Sequence, residues 1–241
     1  MPRNLSDQDI ADFRERLCDV AERLFADQGT EAVTIRQLAA ALNVSPMTPY
    51  RYFKDKDAIL AAVRARGFDR HAEALERAYA ENSGDLEMRA MAVCEAYVRF
   101  ALANPEAYKL MFDTSQLTEA SYPDLVRAGA RSRATMTRHL RDMIEAGRLN
   151  GDADLIGHVF WAAIHGPLML HFSGMLSGGP DVRSLINALV AALDRAIFPK
   201  ASLGERGVAC VRALPARANP GDAQPADKDF IDGCMASPDI H

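Results

Sequence analysis

Residues 34–56 read Thr34-Ile35-Arg36-Gln37-Leu38-Ala39-Ala40-Ala41-Leu42-Asn43-Val44-Ser45-Pro46-Met47-Thr48-Pro49-Tyr50-Arg51-Tyr52-Phe53-Lys54-Asp55-Lys56. Ile35, Leu38, Ala39, Leu42, Val44 and Phe53 can form one small core, with Thr34 as N-cap of a helix over 35–42 that Asn43 ends. Ser45-Pro46 opens a further helix, with a capping side chain and a proline where no amide is needed. Only Asn43 and Val44 separate the two, which suits a near-perpendicular helix-turn-helix rather than antiparallel packing. The residues left facing outward are hydroxyls, amides, aromatics and bases. Such groups hydrogen-bond phosphate oxygens and base edges, and they lie on a helix short enough for a major groove. Pro49 lacks the amide that would bond the Ser45 carbonyl, so this helix should start with some distortion. Phe53 reads as core, whereas the charged neighbours of Tyr50 and Tyr52 argue against packing for either tyrosine. A solvated face is the ordinary fate of Arg36, Lys54 and Lys56.

Outward from this stretch the charge changes sign. Residues 1–31 hold four bases against eight acids, whereas residues 34–66 carry Arg36, Arg51, Lys54, Lys56, Arg64 and Arg66 against Asp55 and Asp57. The chain as a whole has a net charge of −5, so an affinity for nucleic acid would have to come from this local segregation. Helical periodicity runs from Asp9 to Phe198, and no segment alternates like a strand. A first helix carries Ile10, Phe13, Leu17, Val20, Ala21, Leu24 and Phe25 and stops at Gly29. A long helix opens at Asp55 or Lys56 and continues to Ser83-Gly84. Further helices are predicted at about 86–103, 105–112, 123–146, 153–176 with a bend at Gly166-Pro167, and 181–198. The expected fold is all-α: an N-terminal three-helix helix-turn-helix domain over 10–70, then a larger helical ligand-binding and dimerisation domain over 71–198. From Pro199 the composition turns to Ala, Pro, Gly and Asp, which predicts a disordered tail over 199–241.

Several function classes are disfavoured. Cys18, Cys94, Cys210 and Cys234 form no C-x-x-C pair, so neither zinc nor a disulfide framework is indicated. The N-terminus, polar and acidic, does not read as a secretion signal and points to a cytoplasmic location. Leu155 to Pro180 contains no Asp, Glu, Lys or Arg and is long enough to span a bilayer. Its His158, His165, His171, five glycines and two prolines argue instead for a helix buried by protein, for instance at a subunit interface. No Gly-x-Ser-x-Gly, phosphate loop or His-Glu-x-x-His occurs, so an enzyme using His165 as general base is a remote alternative and no cofactor is expected. His158 and His165 lack an accompanying i, i+4 carboxylate or histidine, so a pocket or core role suits His165 better than a metal.

The run from Phe13 to Leu60 resembles the TetR/AcrR family of transcriptional regulators. An amphipathic helix ends Leu-Phe-Ala-Asp-Gln-Gly, then come Val-Thr-Ile-Arg-Gln-Leu-Ala and Val-Ser-Pro-Met-Thr-Pro-Tyr-Arg-Tyr-Phe-Lys-Asp-Lys-Asp-Ala-Ile-Leu. Asn104 to Phe112 and Trp161-Ala162-Ala163-Ile164-His165-Gly166 look like a subgroup named for a Trp-His-Gly signature. The resemblance implies that Thr34 caps its helix and meets a phosphate, and that Arg36 reaches a guanine. Pro46, Met47 and Thr48 would begin the base-facing surface, while Tyr50, Tyr52 and Lys56 would hold the DNA backbone. Ser45 and Arg51 complete the expected DNA-binding set. The partners implied are a near-palindromic double-stranded operator, a second copy of the chain and a small effector. Phe100, Tyr108, Met111, Phe112, Met136, His139, Trp161 and His165 are the expected effector pocket, because aromatics and methionines there converge on a few polar groups. The effector is then largely apolar. A DNA-binding module with no effector is the other reading.

Overall fold

The computed structural model describes residues 6–82, 84–113 and 119–197, so the predicted tail over 199–241 lies outside the described residues. Among them every regular element is helical. Helix α1 (Asp7–Gln28) opens on a capping box between Ser6 and Asp9, buries Phe13, Leu17, Val20, Ala21 and Phe25 on one face, and stops at Gly29 with φ +84°. Helix α2 (Ile35–Ala41) is capped by Thr34, whose hydroxyl accepts the Gln37 amide while the Gln37 side chain takes the Thr34 amide. The chain reverses at Asn43, φ +54°, the one non-glycine residue with positive φ among those described. Asparagine tolerates this left-handed conformation better than other side chains.

The predicted helix from Ser45-Pro46 is not an α-helix. Residues 46 and 47 form a turn, Thr48 a bend, and Pro49–Arg51 a single 3-10 turn. The cause is Pro49, which offers no amide: the Ser45 carbonyl takes the Thr48 amide at 2.8 Å instead, and the Thr48 carbonyl takes that of Arg51 at 3.1 Å. Tighter i→i+3 bonding therefore replaces the i→i+4 pattern. Capping by Ser45 is also weak, its Oγ lying 3.4 Å from the Met47 amide.

Helix α3 (Lys56–Glu81), capped by the Asp55 carboxylate, is 26 residues long and so extends about 39 Å. Its first half joins α1, α2 and Phe53 in one core around Leu17, Phe25, Leu38, Ile59 and Val63. Its second half contributes Leu75 to another core with α4 (Leu86–Ala103), α5 (Pro105–Met111), α7 (Ala153–Phe172) and α8 (Val182–Ile197). The expected domain boundary at 70/71 thus falls inside an unbroken helix. Helix α6 (Pro123–Glu145) lies along α3, with Leu125 and Ala128 against Ala61 and Ala65. Arg131 of α6 pairs with Asp69 and Glu76 of α3, and Arg127 also with Asp69. Helix α5 is tied to the N-terminal core by Leu110 and by the buried Arg64, whose guanidinium donates to the Met111 carbonyl at 3.1 and 3.3 Å. Helix α7 runs unbroken through Gly166 and Pro167 but ends at Phe172, short of the predicted Leu176. Past it Gly174 takes φ +75° and the Met175 amide returns to the Leu170 carbonyl at 3.0 Å.

Candidate nucleic-acid interface and effector site

The basic stretch is partly neutralised by the fold. Arg64 is buried, Arg66 pairs with Asp19 at 2.7 Å, and Lys54 lies 3.7 Å from Asp55. Arg36, in the first turn of α2, and Arg51, in the 3-10 turn, are exposed and make no ion pair among the described residues. Beside them Ser45 and Pro46 are exposed, Met47 is 67% and Tyr50 49% exposed, and Thr48 is half-buried. A thioether and a phenol held in water at such exposure gain nothing from the protomer's own core. Thr34 is exposed too, yet its hydroxyl donates to Gln37 Oε1 at 2.7 Å. The Lys56 ammonium donates to the carbonyls of Thr30 and Glu31 at 2.9 and 3.3 Å, so it fastens the α1–α2 turn to the start of α3. Tyr52 corrects one expectation. Its ring stacks on Phe13 with centroids 4.2 Å apart, and core packing, rejected from its charged neighbours, is what it does. A groove of about 190 Å³ separates Tyr52, Phe53 and Lys54 from Tyr122 and Leu125 at the start of α6.

In the second core, Phe100, Tyr108 and Met111 are buried, and Phe112, Met136 and Trp161 pack around them. His165 joins through ring contacts with Phe112 at 4.5 Å and Trp161 at 5.2 Å. Seven of the eight expected residues therefore meet. His139 is half-buried, but neither a ring contact nor a hydrogen bond ties it to the group, and its buried Nδ1 lacks a partner. Burial holds its pKa down to about 4, against the pull of Asp142.

A hydrogen-bonded chain crosses this cluster. Trp161 Nε1 donates to the Tyr97 hydroxyl at 2.9 Å, the Tyr97 and Tyr108 hydroxyls are 2.7 Å apart, and the Tyr108 hydroxyl is 2.7 Å from His165 Nδ1. Tyr108 is 0% exposed. Only one order uses every hydroxyl proton: Trp161 to Tyr97, Tyr97 to Tyr108, Tyr108 to His165. His165 Nδ1 is then the acceptor and the proton sits on Nε2. Burial lowers the His165 pKa, which agrees with a neutral ring, and raises those of both tyrosines.

Tyr97, His71 and Ser132 were not among the residues expected at this site. Tyr97 precedes Phe100 by three positions on α4, and His71 stands between Phe68 and Leu75 on one stripe of α3. A lone polar ring in an apolar stripe was the available signal.

Comparison with known proteins agrees with this architecture. Residues 17–63 match the family described as bacterial regulatory proteins, tetR family, and residues 90–193 match the tetracyclin repressor-like C-terminal domain. An uncharacterised HTH-type transcriptional regulator, YobS of Bacillus subtilis, is 28% identical over 96 residues, 40% of this chain and 49% of that one. An HTH-type transcriptional repressor of Mycobacterium tuberculosis is 32% identical over 77 residues, 32% of this chain and 41% of that one. The chain thus spans about half the length, or less, of these curated relatives. A solved structure from Rhodococcus sp. RHA1, of unknown function, superposes with a TM-score of 0.67 at 32% identity, covering 82% of this chain and 99% of that one. The fatty acid degradation regulator FadR of Bacillus halodurans shares the fold, with a TM-score of 0.62 at 15% identity over 74% of this chain and 96% of that one. The helix-turn-helix with its exposed bases, the helical domain behind it and these matches together place the chain in the TetR family of DNA-binding transcriptional regulators.

Proposed function

We propose that the chain is a ligand-responsive repressor: a cytoplasmic homodimer that holds a near-palindromic operator and leaves it when a small, largely apolar effector binds in the second domain. The observation that carries this reading is α3. One helix supplies Ile59, Leu60 and Val63 to the DNA-binding core and Leu75 to the aromatic core, so a ligand that repacks the second core tilts a rod fixed in the first. Arg36, Met47, Thr48, Tyr50 and Arg51 would read the operator, Ser45 and Pro46 would border that surface, and Thr34, Tyr52 and Lys56 would support it. Phe112, Trp161 and His165 would meet the effector.

Dimerisation is supported by the outer faces of α7 and α8. Leu155 is 65% exposed and Leu189 38%, while Leu185 and Leu193 are half-buried. Helix α8 already commits Val182 and Ile186 to the core. A second apolar face on the same helix then asks for a partner. Helix α7 meets the length and hydropathy needed to cross a membrane, with 28% of its most apolar window buried in the protomer; in a DNA-binding regulator a second copy is the fitting cover. Two copies would set the recognition segments about 34–36 Å apart, one turn of DNA.

The test is recovery of genomic DNA fragments by the purified protein, followed by a screen of apolar compounds for release. A shared near-palindrome freed by one compound class is expected. Fragments with no common sequence would overturn operator recognition. A palindrome that no compound releases would favour the module without an effector, since a ligand moves the equilibrium only by its differential affinity for the two conformations.

A further inference from the structure

His71 is 1% exposed, and its Nδ1 lies 2.9 Å from Ser132 Oγ on α6. Nε2, on the opposite edge of the ring, is buried with no hydrogen-bond partner. The ring meets Tyr97 and Phe100 edge-on, with centroids 4.8 and 5.2 Å apart, and Tyr97 belongs to the chain that ends at His165. Two proton arrangements exist. If Nδ1–H donated to Ser132, both the serine proton and the Nε2 lone pair would be stranded. If Ser132 donates to Nδ1, only Nε2–H is stranded, and this second arrangement wastes less. An aromatic face gives such a donor a weak acceptor at best.

We propose that His71 Nε2–H is the polar anchor of the effector site, and that it selects uncharged apolar ligands bearing a hydrogen-bond acceptor such as a ketone or quinone carbonyl. This rests on the effector reading above and deepens it. The charge class follows from the neighbours. His71 and His165 are both neutral donors by bond accounting, and burial pushes the His71 pKa down to about 3. Trp161, Tyr97 and Tyr108 spend their protons within the chain that ends at His165 Nδ1. A buried carboxylate here would lose its hydration against neutral donors alone, whereas a carbonyl gives up far less. Because His71 lies on α3 and Ser132 on α6, a ligand held at Nε2 bears on the pair of helices that leads to the DNA-binding core.

Three probes of one shape test this on the full chain by equilibrium dialysis at pH 7: 2-acetylnaphthalene, 2-ethylnaphthalene and 2-naphthoate. The parent should bind the ketone about tenfold more tightly than the hydrocarbon, as one additional hydrogen bond allows, and the carboxylate least. His71→Phe, which keeps a ring in place, should bring ketone and hydrocarbon within about twofold of each other. A ketone preference that survives His71→Phe, or a parent that favours 2-naphthoate, overturns the anchor. Trp161→Ala separates the two readings: if the parent binds none of the probes, or Trp161→Ala binds all three as the parent does, the effector site falls and the anchor with it. If Trp161→Ala weakens all three and His71→Phe leaves the preference intact, the anchor alone falls. Histidine-selective nitrogen NMR of the unsubstituted protein needs no folded variant. Protonated Nε2 and bare Nδ1 at His71 are expected, and the reverse tautomer overturns the proposal.

Discussion

Arg36 and Lys56 carry the same charge but occupy different surroundings. Arg36 is exposed and uncommitted, and its planar fork matches the two acceptors of guanine, so Arg36→Ala should cost about 1–3 kcal/mol on the operator and relax one base position. Lys56 holds two backbone carbonyls while one ammonium proton stays available for a phosphate. Lys56→Ala should weaken operator and random DNA alike, lower the log-log salt slope by about one, and also cost about 1 kcal/mol of stability. Titrations on single-base operator variants over a range of salt, with denaturant unfolding of each variant, check the division; base selectivity lost at Lys56 and retained at Arg36 would reverse it. The buried His71 sets an acid limit. Its pKa is about 3 in the folded chain against about 6.5 unfolded. Between these values the unfolded chain binds more protons, so stability is full above about pH 6.5 and falls as pH drops, by about 2 kcal/mol at pH 5. His71→Phe should shed that component. Equal losses for parent and variant between pH 7 and 5, read from urea midpoints, would count against a buried neutral imidazole.

Among the elements, close approaches of α5 to α3 and of α7 to α6 fix the second domain. A Cβ on Gly157 of α7 would lie 2.7 Å from Thr137 Cγ2 and 3.5 Å from Leu140 Cδ1. A Cβ on Gly67 of α3 would meet Met111 Cγ, also at 2.7 Å. The distances are alike but the neighbours are not. Threonine is stiff at χ1, whereas methionine turns about three bonds. Gly157→Ala should therefore destabilise by about 1–3 kcal/mol as an overpacked core does, and Gly67→Ala by less, since the helix propensity gained offsets part of the strain. Chemical unfolding of both variants checks the order, and a costlier Gly67→Ala would refute the argument from side-chain stiffness.

For the whole molecule, the proposed two-fold operator reading makes DNA affinity depend on assembly. The outer stripe of α8 is apolar at Leu185, Leu189 and Leu193, and Leu155 adds to it on α7. Leu189→Arg places a charge in the proposed interface without touching the protomer core. Sedimentation at micromolar concentration should give a dimer for the parent and a monomer for Leu189→Arg, and the variant should lose most operator affinity because its half-sites are no longer linked. A monomeric parent would defeat the two-fold operator argument directly. A variant that stays dimeric would move the interface off α8.

The helices were legible in the sequence because apolar spacing, Ser, Thr and Asp caps, Gly stops and Asn104-Pro105 are local signals that act within a turn or two of the chain. Helix α4 therefore lies at Leu86–Ala103 and α5 at Pro105–Met111, as the periodicity and breakers indicate, and the aromatics and methionines of α4 to α7 mark most of the second core. The missing amide of Pro49 signals a distortion locally, but its extent depends on which amide the Ser45 carbonyl finds instead. Other features needed the tertiary structure, because they are set by neighbours distant in sequence. Tyr52 is a packing residue because Phe13 lies beneath it, and Lys56 is committed because the α1–α2 turn presents two carbonyls to it. His139 and His71 are both helical histidines with apolar neighbours, and nothing within a few residues of either distinguishes them. The partner 61 residues away, Ser132, satisfies one nitrogen of His71 while Tyr97 and Phe100 flank its ring and Nε2 stays buried and unpartnered; no ring contact or hydrogen bond joins His139 to that cluster.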